Sequence, residues 1–100
     1  MSVELIDTAT PELEAAFELL IPQLSSSSTP MNIEQLETFL EQDNIYLLAY
    51  RGEAGEDGVA PILGILTLVT FEIPTGWRAW IEDVVVDSAA RGQGAGQQLI

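Results

Sequence analysis

The chain has 100 residues, 47% of them hydrophobic, enough for one small folded domain with a modest core. Sixteen acidic residues against three basic ones give a formal net charge of −13, which argues against nucleic acid and anionic membranes as partners. Cysteine and histidine are both absent, so disulfides, thiol nucleophiles, His-based triads and ordinary zinc sites are excluded, and no metal is expected.

The acidity is compatible with cationic substrates such as amines, although an acidic surface is more often a solubility feature. The N-terminus has no basic, apolar signal pattern, and no apolar run approaches transmembrane length. A cytoplasmic protein is the expectation.

Val3 to Ile6 reads as a short strand. Thr10 then reads as a helix N-cap, with Pro11 at the first helical position and Glu12 in the first turn. Leu13, Ala16, Phe17, Leu20 and Leu24 follow helical spacing, and Pro22 is expected to end or kink this helix. Ser25 to Pro30 is a flexible link. Asn32 and Gln35 have the spacing of a capping box, which predicts a second helix over about 33 to 42 with Ile33, Leu36, Phe39 and Leu40 on one face. Phe17 and Phe39 are expected in the core.

Ile45 to Tyr50 reads as a strand, and Gly52 to Gly58 as a solvated hairpin loop. Ile62 to Phe71 is a long strand, apolar enough to be covered on both faces; Gly64 within it marks a bulge or a close backbone approach. Pro74-Thr75-Gly76 is a turn, Arg78 to Val86 a strand, and a final helix starts near Arg91. The order β-α-α-β-β-β-α predicts an α/β (α+β) fold, a mostly antiparallel sheet with helices packed on it.

The chemistry concentrates in the last fifth of the chain. A β-branched strand runs into Arg91-Gly92-Gln93-Gly94-Ala95-Gly96, a glycine-rich turn opening a helix. Such a turn bares backbone N–H groups where the helix dipole favours an anion, and Arg91 adds a fixed positive charge. It is either a phosphate cradle or a tight strand-to-helix turn without a ligand. A dinucleotide fingerprint would need glycine at position 97, where Gln97 stands, and a P-loop would need a Gly-Lys pair.

Val84 to Gly96 resembles the acetyl-CoA motif of the GNAT N-acetyltransferases, a strand and a short link followed by Arg/Gln-x-x-Gly-x-Gly/Ala. Arg91, Gly94 and Gly96 fill the three defining places, and Ser88 stands where many members have proline. The family's element order matches over the whole chain. The resemblance implies acetyl-CoA as co-substrate. The backbone N–H groups from Arg91 to Gly96 would hold the pyrophosphate of coenzyme A. The edge at Val84, Val85 and Val86 would pair with the pantetheine arm, and a backbone N–H of that strand would polarise the acetyl carbonyl.

Glu82 and Asp83 precede that edge, and Ile81-Glu82-Asp83 is similar to the corresponding stretch of glucosamine-6-phosphate N-acetyltransferases. Acetyl transfer needs a neutral amine, so a carboxylate that accepts a proton is useful here. The other reading is a solvated acidic pair at a strand end. Strand alternation places Glu82 and Asp83 on opposite faces, with Trp80 on the face of Glu82. Trp80 either walls a substrate site or packs in the core or at the rim. The Ser25–Pro30 link either covers the acceptor site, as that region does in the family, or is a plain surface loop.

A full GNAT domain continues with another strand, another helix and further strands, and that helix commonly supplies a tyrosine that protonates the thiolate. Tyr46 and Tyr50 lie on an earlier strand. The expectation is therefore the N-terminal portion, 1–100, of a single domain with an incomplete GNAT fold and its general acid beyond Ile100. The alternative expectation is that a second copy covers the Val84–Val86 edge, as a homo-oligomer. The implied function is acetyl transfer to a primary amine of a small molecule; the alternative is a non-catalytic coenzyme A-binding or oligomerisation module.

Overall fold

A computed structural model describes residues 2–88 of the chain. Strand β1 spans Ser2–Ile6. Helix α1, Pro11–Leu24, begins as the sequence predicts: the Thr10 side chain accepts the Leu13 N–H at 3.1 Å, and Pro11 sits where its missing N–H has no helical partner to lose. Helix α2, Ile33–Leu40, carries the full capping box. Asn32 Oδ1 accepts the Gln35 N–H and Gln35 Oε1 accepts the Asn32 N–H, each at 2.9 Å.

Pro22 does not end α1, which continues to Leu24. The proline removes one backbone hydrogen bond, and the turn survives that loss for two reasons. Leu20 is fully buried beneath it, and the Ser25 N–H closes onto Ile21 O at 2.9 Å.

Strands β2 (Ile45–Arg51), β3 (Ile62–Ile73) and β4 (Gly76–Val86) complete an antiparallel sheet in the order β1-β2-β3-β4. The Pro74-Thr75 turn joins β3 to β4, with Ile73 opposite Gly76, whose φ of 133° lies in the region open to glycine. The final helix expected near Arg91 lies outside the described residues. Among the described residues, no helix is long and apolar enough to cross a membrane.

Both helices pack on one face of the sheet. Leu13, Phe17 and Leu20 of α1 and Leu36 of α2 bury against Leu47, Ala49, Ile65 and Val85. The opposite face is also apolar, with buried Tyr50 and Leu66 packed by Leu48, Leu63, Leu68, Val84 and Val86. This two-sided burial explains the nearly continuous apolar run of β3. The bulge expected around Gly64 is present. Tyr50 pairs with Gly64 and Arg51 with Ile62, leaving Leu63 as the extra residue. Ile62 thereby joins the helix-side cluster while Leu63 packs on the other face.

Arg51 locks β1, α1 and β2 together. Its Nε donates to Glu4 Oε1 at 2.6 Å, and its Nη2 and Nη1 grip Glu12 Oε1 and Oε2 at 2.7 and 2.9 Å. The same guanidinium caps Ala60 O at 2.7 Å, pinning the β2–β3 loop. This fork-to-carboxylate geometry uses what lysine cannot supply.

Candidate active site

The β3–β4 register breaks once. Thr67 pairs with Glu82 and Ile65 with Val85, so Leu66 faces two residues, Asp83 and Val84. This is a second β-bulge, and Asp83 holds it with a φ of 52°. Aspartate is among the few non-glycine residues that enter this left-handed region readily. Strict alternation fails here for that reason. Glu82 lies opposite Thr67, which faces the helices, and Asp83 borders the same helix-side space as Thr67.

That space is a hollow of about 240 Å³ between the two helices, their connecting link and the sheet. Phe17, Ile21 and Leu24 of α1 and Phe39 of α2 form its apolar sides, Ile65 and Thr67 line it from the sheet, and Asp83 stands at its border. Ser25, Ser28, Thr29 and Met31 supply the remaining wall. The link from Ser25 to Pro30 therefore contributes three hydroxyl-bearing residues to the hollow. Phe17 is buried in the core as expected, Phe39 is half-buried and packs against it, and both line this space as well.

The link has its own internal order. The Ser28 hydroxyl donates to Ser25 Oγ at 3.0 Å, and the Ser28 N–H reaches Ser25 O at 3.2 Å. At its far end the Glu14 carboxylate accepts the Ile33 N–H at 2.6 Å, satisfying a donor at the start of α2.

Trp80 and Glu82 share the helix-bearing face, as alternation predicts for that pair, and the Trp80 indole N–H donates to Glu82 Oε1. They sit opposite Val69 and Thr67, one step along the sheet from the hollow, and neither is part of its lining. Trp80 remains 58% exposed, so it is no core residue. Glu82 and Asp83 are thus adjacent in sequence and differently employed.

Val84, Val85 and Val86 follow the bulge on β4, which with β1 is one of the two edge strands among the described residues. Val85 buries against the helices, while Val84 and Val86 pack on the opposite face. Beyond them, Gln23 of α1 accepts the Ser88 N–H on its Oε1 at 2.9 Å. Arg91, Gly92, Gln93, Gly94, Ala95 and Gly96 lie outside the described residues.

The sequence did not reveal Gln23, Met31, Thr67 or the bulge at Asp83 as parts of this region. Gln23, two residues before the link, carried no local signal, because the two partners that matter here, Asp87 and Ser88, lie more than sixty positions away.

Solved structures share this architecture. An acetyltransferase from Trypanosoma brucei superposes with a TM-score of 0.67 at 25% identity, covering 98% of this chain and 69% of that chain. An aminoglycoside acetyltransferase from an uncultured soil metagenomic sample, in complex with sisomicin, superposes with a TM-score of 0.71 at 21% identity. That match covers 98% of this chain and 63% of the other, and the same enzyme in complex with trehalose gives the same values. The second likeness is one of fold alone. No curated protein sequence matches the chain. The acetyltransferase (GNAT) family profile matches residues 13–100, and the chain belongs to that family.

Proposed function

We propose that this chain carries the acceptor hollow and the coenzyme-binding segment of an acetyl-CoA-dependent N-acetyltransferase acting on a primary amine. One observation carries the reading. Asp83 sits in a bulge at the border of the helix-side hollow, immediately before the Val84–Val86 strand and the Arg91–Gly96 motif. The family membership supplies the reaction class, and the hollow supplies a place for an acceptor beside the strand.

In this reading the backbone N–H groups from Arg91 to Gly96 bind the pyrophosphate, with Arg91 adding charge. The Val84–Val86 strand receives the pantetheine arm by strand addition. A backbone N–H of β4 polarises the acetyl carbonyl. Asp83 takes a proton from the aminium, directly or through a water, leaving a neutral amine. The nitrogen forms a bond to the acetyl carbon, the carbon–sulfur bond breaks with the electron pair leaving on sulfur, and the proton shed by the newly acylated nitrogen passes, directly or through water, to the thiolate. Glu82, held by the Trp80 indole next to the hollow, draws the incoming aminium toward Asp83.

The test is turnover with acetyl-CoA and a panel of primary amines, read by thiol release and by the mass of the acetylated amine. Acetylated product that disappears in Asp83→Asn supports the reading. Coenzyme binding without product from any amine would favour a non-catalytic coenzyme A module.

A further inference from the structure

We infer that the acceptor is a compact monoamine, a single aminium on an apolar body, rather than a polycation. This rests on the proposed function and concerns the same hollow. Its volume of about 240 Å³ falls below the roughly 300–1,000 Å³ of pockets for drug-sized ligands. Its lining is dominated by Phe17, Ile21, Leu24, Met31, Phe39 and Ile65, and among the described residues that line it Asp83 is the one ionisable side chain.

The chemistry of that lining selects one charge. Aromatic and aliphatic walls gain from an apolar body that leaves water. A single carboxylate at the border matches a single aminium. A polyamine or a polycationic amino sugar would press further charged nitrogens against apolar walls with no counter-charge, and the desolvation would be uncompensated. Two of the hydroxyls, those of Ser25 and Ser28, already engage each other, which leaves fewer polar partners for a heavily hydroxylated acceptor. The overall acidity of the chain is therefore no guide to the acceptor's charge.

The probes are phenethylamine and spermine, titrated calorimetrically into the full chain with and without acetyl-CoA. Phenethylamine is expected to bind about tenfold or more tightly than spermine, and Asp83→Asn to weaken it about tenfold or more. Asparagine also tolerates a positive φ, so this variant keeps the bulge, which a thermal melt verifies. A Met31→Trp substitution, which narrows the hollow, is expected to weaken phenethylamine and leave spermine unchanged. Spermine bound as well as phenethylamine, binding indifferent to Asp83→Asn, or no binding of either amine would each overturn the inference. Phenethylamine bound in the expected pattern but never acetylated would uphold the monoamine hollow and overturn acetyl transfer.

Discussion

The Gln23 carboxamide oxygen accepts the Ser88 backbone N–H at 2.9 Å, joining residues 65 positions apart. The amide end of the same side chain donates to Leu19 O at 3.2 Å and to Asp87 Oδ1 at 3.4 Å. The last turn of α1 thus holds the segment leaving β4, three positions before Arg91. Ile21 and Leu24 in that turn line the hollow. One turn of helix therefore borders the hollow and holds the chain that leads to the glycine-rich motif.

Gln23→Ala is expected to lower acetyl-CoA affinity several-fold while costing no more than about 1 kcal/mol of stability. Ser88 is exposed, so water replaces the lost acceptor and the fold is spared. Calorimetric titration alongside a urea melt separates the two effects. Unchanged affinity with reduced stability would reduce Gln23 to a fastener.

At the bulge, Asp83→Gly and Asp83→Val are expected to diverge in stability and agree in chemistry. Glycine keeps the φ of 52° without strain, whereas a β-branched side chain there costs about 1–2 kcal/mol. Both remove the carboxylate, so both abolish acetylation in the proposed mechanism. Urea denaturation and thiol release are the two readouts. A Gly variant that still acetylates amines at the original rate would remove Asp83 from the mechanism.

Acid is expected to loosen the link between β1, α1 and β2. The hydrogen-bonded Arg51 guanidinium holds Glu12 below its ordinary value of 4.5, against a smaller opposing effect of burial. The stabilisation is fully present above the unfolded value and fades as pH falls through the lowered folded one. Glu12 is 44% exposed, so solvent screening limits the pair to about 1 kcal/mol or less. Glu12→Gln should flatten the fall in stability below pH 4.5, measured by thermal melts across an acid series. An unaltered acid slope would dissociate Glu12 from it.

Two substitutions test the frame that positions the hollow. Thr10→Ala removes the cap on the Leu13 N–H and should cost about 1 kcal/mol. Leu20→Ala opens a cavity at a fully buried position and should cost about 2–5 kcal/mol. Denaturant melts check both, and a smaller loss for Leu20 than for Thr10 would contradict the packing described.

The frame was legible because its signals are local. The Thr10-Pro11 start, the Asn32–Gln35 capping box and the alternating or continuous apolar runs each depend on a few neighbouring residues. The strand Arg78 to Val86 was legible too, with its start extended to Gly76 in the structure. What the sequence concealed depends on register. Pro22 reads as a helix end or kink, and only the burial of Leu20 and the closure at Ser25 show why α1 continues. Glu82 and Asp83 read as alternating, and only the pairing of Thr67 with Glu82 and Ile65 with Val85 reveals the extra residue. The motif at Arg91–Gly96 is legible in sequence and lies outside the described residues, so the reading of that segment rests on its residues and on the family match.

The central claim is that this chain binds acetyl-CoA through its glycine-rich motif. Its most direct test is calorimetric titration of acetyl-CoA into the 100-residue chain, repeated with Arg91→Glu and Gly94→Asp. Saturable binding that both substitutions abolish is the expected result, since each sets a carboxylate against the pyrophosphate. Binding that survives both, or a folded chain that binds no acetyl-CoA, would contradict it.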